Sequence, residues 1–442
     1  MRTSSVLAGT LTLALALSAG AAASAQTTPT GPTSADFFSP LVLHRIDLLM
    51  NSKDWEKLKA NYQTNEYYPA DVKWNTTTVR NVGVRSRGLG SRSESKPGLR
   101  VDMNRYTSSQ TFLGLSSFNL DNLWQDASGM KEAISMRFYA RLNLPAPRET
   151  FAKLYVNNVY AGLYGVTESI DKDFLKRVFG EKDGDTENDG YLFEYNWLYP
   201  WYFTYLGSDL AKYKELLSAK THESASDHDK YHDVEQWVLT TNEARDDMFV
   251  DSVWKYTDLN VFMKTVSAEA YMAEWDGLLG YSGLANFYLY RFEKTTRHQF
   301  LIWDADNTFR DLFFSITSGH QENVLMRRSM AVPSLNQAYY QGLLDAVTSA
   351  SETDPAEVVP PGQTQRGWLE REIDSTLTLI QAAMYADPNK PYTNQQFDEA
   401  VATVRAFAHD RWRFVKCEVA RATDLATVGP ECVFDEAPAV RR

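Results

Sequence analysis

The hydrophobic period of this chain changes part-way along it. Between residues 41 and 168 apolar side chains mostly alternate, as in half-buried strands; beyond 171 they recur at three- and four-residue spacing, as in helices with one buried face. Residues 41–49, 72–74, 78–86 and 99–103 read as strands. Residues 52–62 form a capped helix among them, and 129–142 a second one, with Ile134, Phe138 and Leu142 on one face. Residues 151–168 are two strands joined by Asn157-Asn158, a dipeptide that tolerates the positive φ of tight hairpin turns. Helices are expected at 171–179, 209–218, 228–239 and 258–275, a strand at 190–195, and an acidic loop at 181–189. A second hairpin follows at 286–292 and 299–303. Residues 317–365 read as loop-rich, broken at Pro360-Pro361-Gly362, and helices at 368–384 and 394–417 close the chain. Strands first and helices later specify an α+β fold: a strand-rich N-terminal lobe over 40–170 and a mainly helical C-terminal lobe over 171–442, with a cleft between them.

The N-terminus carries an address. Arg2 precedes an apolar stretch from Val6 to Leu17, and Ala23-Ser24-Ala25 fits a signal-peptide cleavage site, so residues 1–25 read as a secretory signal. Residues 26–39, rich in Thr, Pro and Ser, read as a linker. No later stretch is apolar enough for a stable membrane span. Export permits a disulfide, and Cys417 and Cys432 are the two cysteines available to form one. With 45 Lys and Arg against 57 Asp and Glu, the net charge of −12 excludes the basic footprint of a nucleic-acid binder.

The densest chemistry lies between Asp276 and Asp306. If the second hairpin pairs through its turn near 294–297, Asn286 and Asp304 lie at one end of it, close to where the long helix delivers Asp276. Carboxylate and amide oxygens gathered this way suit Mg²⁺, which takes one or two carboxylates beside a phosphate, and leave one Asp to deprotonate a hydroxyl. The competing reading is that these are turn formers at strand ends. A basic, glycine-rich run, Gly83 to Lys96, offers Arg87 and Lys96 to phosphate oxygens, although such a run is also an ordinary hairpin connection. His228 and His232 have zinc spacing but sit in a polar stretch that reads as a solvated helix.

Several segments together resemble the spore-coat-protein-H-like (CotH) atypical protein kinases. They are Arg85-Ser86-Arg87-Gly88 with Ser91 and Lys96, the run from Leu154 to Leu175, Asn286-Phe287-Tyr288-Leu289-Tyr290, and Trp303-Asp304-Ala305-Asp306-Asn307-Thr308-Phe309. The resemblance implies a divergent, two-lobed kinase-like fold that binds ATP and Mg²⁺, or Mn²⁺, and phosphorylates Ser or Thr of a protein substrate or cell-surface partner. It makes Asp276 the catalytic aspartate, Asn286 and Asp304 the metal ligands, and Asp306 their support. It also implies that Lys96 contacts the nucleotide phosphates with Glu132 as its partner, and that Glu168 lies near the lobe junction. The chain departs from the family pattern at Ala285, where a histidine tends to precede the metal-binding Asn. Two other readings remain beside the kinase: a catalytically inactive surface or cell-wall binding module, and an Asp-x-Asp glycosyltransferase. The last lacks the alternating strands and helices of a dinucleotide fold.

Overall fold

The computed structural model describes residues 31–180, 188–362, 364–423, 432 and 434. The expected signal segment lies outside them, as do most of the acidic loop and the first part of the expected linker.

Seven strands close into a barrel: β1 (Leu43–Met50), β2 (Tyr68–Trp74), β3 (Thr77–Arg87), β4 (Gly98–Asp102), β5 (Ser117–Asp121), β6 (Glu149–Val156) and β7 (Val159–Glu168). Their order is β1-β2-β3-β4-β5-β7-β6. Neighbours are antiparallel except at the closing seam, where β1 runs parallel to β6 with Leu43 opposite Phe151. Period-2 alternation sends Ile46, Leu48, Val72, Val84, Leu99, Val101, Phe118, Leu154 and Val166 into one buried interior. Asn157 and Asn158, at φ 50° and 65°, make the β6–β7 turn as expected. The alternation indicated strands but not closure, and β5, a short Ser-Phe-Asn-Leu-Asp run, is a strand the sequence reading passed over.

The linker reading also needs correction. Residues 34–37 form a helical turn, α1 (Ser34–Phe37), held by the Asp36 carboxylate, which accepts from the Thr33 N–H (2.7 Å) and hydroxyl (2.8 Å). The turn delivers Phe37 into the barrel against Phe112 (4.8 Å between ring centres) and Trp74 (5.4 Å). Two buried aromatics, Phe37 and Phe38, outweigh the polar composition around them. Helix α2 (Ser52–Ala60), capped by Asn51, packs against β2 and β3 and adds Leu58 to the barrel core.

Helix α3 (Lys131–Arg141) is inserted between β5 and β6 but does not belong to the barrel core. Its apolar face joins the larger core beyond, where Phe138 stacks on Tyr271 at 5.3 Å. Helix α4 (Lys172–Val178) packs Phe174 and Leu175 into a smaller cluster with Leu192, Tyr290 and Leu301, while the larger core is built by β8 (Tyr191–Tyr195), α5 (Leu210–Leu216), β9 (Leu217–Ala219), α6 (Asp227–Glu243), α7 (Phe249–Val253), α8 (Leu259–Tyr271), β10 (Phe287–Arg291), β11 (His298–Ile302), α9 (Val324–Met330), α10 (Pro333–Ser351), α11 (Trp368–Tyr385) and α12 (Asn394–Ala422). The strands make a second, antiparallel sheet in the order β11-β10-β8-β9.

The mixed α+β fold expected from the sequence is therefore present. The loop-rich reading of 317–365 is not: α9 and α10 occupy most of that stretch. Pro333 at the first helical position starts α10, and Leu335, Tyr339, Gly342, Leu343, Ala346, Val347 and Ala350 line its buried face. Small and polar members of that stripe blurred its period. Gly342 lets α10 lie directly on Ser267 of α8, where a Cβ would not fit. At the end of the chain Cys417 and Cys432 are joined, with Cα atoms 5.6 Å apart.

Candidate active site

The β10–β11 hairpin sets the site. Phe287 pairs with Ile302, and the Trp303 N–H donates to the Asn286 carbonyl (3.0 Å), so Asn286 and Asp304 flank the same end of the ladder. Both leave it with positive φ, 51° and 54°, a conformation that Asn and Asp tolerate best among residues with a side chain. Asn286 Nδ2 donates to the Asp276 carbonyl (2.9 Å) and to its carboxylate (3.2 Å). The structure thus brings together Asp276, Asn286 and Asp304, which lie in two different segments of the chain.

Two buried glutamates brace the loop that carries Asp276. Glu274 accepts from the Asp276 N–H (2.8 Å) and Glu269 from the Leu278 N–H (3.0 Å). Behind them, Arg411 of α12 donates to four carbonyls: Ala270 (2.7 Å) and Tyr271 (2.9 Å) at the end of α8, and Leu312 (2.7 Å) and Phe314 (2.8 Å) beyond the hairpin. One buried guanidinium therefore fixes the segment before Asp276 relative to the segment after Asp304. A Ser135–Thr308 hydroxyl contact (2.8 Å) ties α3 to the same place.

The electrostatics are those of crowded acid. Burial, helped by Asp121 and Asp276, raises Asp304 to about 6 against the pull of Arg87. Burial and neighbouring carboxylates also push Asp306, Glu132 and Glu149 well up, and Glu274 to about 8. Asp276 is raised by burial and held back by its bond from Asn286. Asp121, Asp126, Glu132, Glu149 and Asp306 surround a cavity of about 10 Å³, and among the described residues neither carboxylate oxygen of Glu149 has a hydrogen-bond partner. From the barrel, Arg87 at the end of β3 approaches Asp121 (3.6 Å) and sits 5.3 Å from the centre of the Trp303 ring. Arg87 is thus placed facing the acids.

Oxygen donors of this kind fit a hard divalent ion. Among the described residues no three His, Cys, Asp or Glu side chains are grouped to hold a metal by themselves. Asn286 and Asp304 would be the protein's donors, and phosphate or water oxygens would have to complete the shell.

Other sequence-derived positions go elsewhere. Lys96 is sealed beneath the barrel rim: its Nζ pairs with Asp387 (2.7 Å) and lies 5.1 Å from the centre of the Tyr164 ring. Glu132 is therefore not its partner. Helix α3 points Glu132 into the acidic cluster, while Asp387, just past α11, reaches Lys96 and also accepts from the Leu163 N–H (2.9 Å). Glu168, at the end of β7, has both oxygens engaged by Arg148 (2.7 Å) and Arg177 (2.6 and 3.0 Å). It joins β7 to α4 and leaves no free oxygen for a ligand. His228 and His232 stack at 4.6 Å on the exposed face of α6. Sequence reading missed Asp121, Glu149 and Glu274. Asp121 is the last residue of β5, much as Asp304 lies just past β11, but β5 itself had gone unread.

A family model described as CotH kinase protein matches residues 84–415, a span running from β3 to α12 and including every residue of the site. The chain belongs to the CotH kinase protein family. Inner spore coat protein H of Bacillus subtilis (strain 168) is 23% identical over 383 residues, covering 84% of this chain and 95% of that protein. A crystal structure of the Helicobacter pylori proinflammatory kinase CtkA covers 74% of this chain and 94% of that one at 10% identity, and its TM-score of 0.26 is too low to argue a common fold. Membership of the CotH family agrees with the resemblance seen in the Gly83–Lys96 run and the Asp304 hairpin.

Proposed function

We propose that this chain is a secreted, two-lobed, kinase-like enzyme that transfers the γ-phosphoryl group of ATP to Ser or Thr of a protein, with Mg²⁺ or Mn²⁺. The observation that carries the reading is the bond from Asn286 to Asp276 at the strand end that also presents Asp304, opposite the Arg87 guanidinium. Bound metal–ATP would supply the transferable phosphoryl group and the positive charge that offsets the carboxylates. In this reading Asp276 accepts the proton of the acceptor hydroxyl. Burial raises its basicity, and the Asn286 amide holds its carboxylate in one orientation. Asn286 and Asp304 hold the cation, Asp306 adds negative charge behind them, and Arg87 neutralises phosphate from the barrel side. Lys96 and Glu168 keep structural roles.

Incubating the purified protein with radiolabelled ATP, Mg²⁺ and candidate acceptors tests this. Asp304→Ala and Asp276→Asn should each lower labelling roughly a thousandfold. Labelling equal to wild type in a folded variant overturns the assignment.

Two observations favour a second reading, an inactive binding module of the same fold. Lys96, the residue carried over as a phosphate contact, is committed to Asp387, and Ala285 stands where the family tends to have His. Calorimetry decides between the two: binding of ATP only with Mg²⁺ supports the kinase, and no nucleotide binding at any Mg²⁺ level supports the module.

A further inference from the structure

The residue before the proposed base begins a feature that the phosphoryl-transfer reading does not use. Trp275 lies between two partners. The Tyr281 ring stacks on it at 3.8 Å with planes 10° apart, and the Arg310 guanidinium lies 3.7 Å from its ring centre. Two groups at those distances cannot share one face, so the indole is sandwiched. The loop is kept closed by the Tyr281 N–H, which donates to the Trp275 carbonyl (3.1 Å), and Arg310 follows Phe309, whose N–H donates to the Met272 carbonyl (2.9 Å). Arg310 is exposed, and among the described residues no carboxylate pairs with it. The adjacent Asp311 is engaged with the Phe313 N–H (2.9 Å).

This is a cation held in place by stacking rather than by an acid. A guanidinium stacked on an indole loses little further freedom on binding, and its N–H groups remain directed to an external anion. Around it the surface is aromatic. Tyr281 is 59% exposed, the exposed Trp197 donates its indole N–H to the Ser282 carbonyl (3.1 Å), linking the two loops, and Tyr199, also exposed, lies two positions further along the Trp197 loop. Trp275, on which this cation stacks, is the residue immediately before Asp276, so the element is carried by the same loop as the proposed base.

We propose that Arg310, Trp275 and Tyr281 form an acceptor-recognition element that selects an anionic side chain close to the phosphorylated Ser or Thr, with Trp197 and Tyr199 as its apolar rim. The proposal rests on the kinase reading for its role in catalysis, but not for the binding it describes. Either a carboxylate or an existing phosphate on the acceptor supplies the required chemistry. Such an element directs a protein of net charge −12 toward acceptors that its overall field would repel, so selectivity is set locally.

Fluorescein-labelled peptides of one sequence, with a central Ser and Glu, phosphoserine, Gln or Lys two positions away, test it by anisotropy with the full chain. The Glu and phosphoserine peptides should bind wild type about tenfold more tightly than the Gln peptide, the difference expected of one charge-assisted contact. Comparing the two separates carboxylate from phosphate recognition. Arg310→Ala should abolish the preference, Arg310→Lys should keep a weaker one, and Tyr281→Ala should reduce it by loosening the stack. Absence of the preference in wild type, or its survival in Arg310→Ala, overturns the proposal. The same peptides with radiolabelled ATP separate the two readings. Anion-selective binding without labelling by any peptide removes the acceptor role together with the kinase reading, whereas labelling without anion preference removes this proposal alone.

Discussion

The barrel interior and the acidic end of the β10–β11 hairpin are both buried, yet they are built on opposite terms. Inside the barrel, Ile46, Leu48, Val84, Leu154 and Phe37 share one apolar core, and the charge sealed beneath its rim, Lys96, has an acid to meet it. At the hairpin, Asp304, Asp306, Glu132 and Glu149 repel one another, with Arg137 and Arg87 as nearby cations. The first region stabilises the fold. The second destabilises it, and that energy becomes available to a ligand that brings positive charge.

The contrast can be broken most severely at Lys96. Replacing it by Met leaves Asp387 buried without its cation, and the chain should lose about 3–5 kcal/mol in denaturant unfolding. Lys96→Met with Asp387→Leu should recover much of that loss. If Lys96→Met leaves stability unchanged and instead abolishes nucleotide binding, the lysine belongs to the functional region after all. A gentler change inside the barrel, Ile46→Val, should cost about 1 kcal/mol through the lost methylene and leave ATP labelling untouched. At the acidic end the sign reverses. Asp304 and Glu274 have folded-state values near 6 and 8, above their unfolded values of about 4. The folded chain therefore binds more protons than the unfolded one, and the stability they contribute is full below about pH 4 and is lost as pH rises to 6 for Asp304 and to 8 for Glu274. Melting temperatures of Asp304→Asn should accordingly fall less steeply than wild type between pH 4.5 and 6.5, and those of Glu274→Gln less steeply up to pH 8. A wild-type slope retained in both variants would place the strain elsewhere.

Legibility followed the range of the interactions. The Asn157-Asn158 turn, the β10–β11 hairpin and the meeting of Asp276 with Asn286 rest on neighbours close in sequence, and residue type with period announced them. Asp387, by contrast, meets Lys96 across 291 positions, and nothing around Asp387 marks it as a buried partner. Helix α10 stayed hidden because Gly342 and two alanines occupy its buried stripe, where close packing on α8 replaces large apolar side chains. Helix α1 stayed hidden because Phe37 and the Phe38 that follows it come after a stretch with the composition of a linker. Glu132 was read through a presumed salt bridge and proved to face other acids, a distinction set by the direction of α3 alone.

The seam between β1 and β6 has a consequence in time. Every other ladder in the barrel joins antiparallel neighbours, but this parallel one sets Leu43 against Phe151, with β2 to β5 and helix α3 lying between them in the chain. Contacts of such long sequence separation carry the loop-closure entropy of all that intervenes. Closure of the barrel is thus expected to be slower than formation of its local hairpins. Until it occurs the edges of β1 and β6 are open templates for strand addition from another chain, so this seam is where a nascent copy of the protein is most exposed to aggregation.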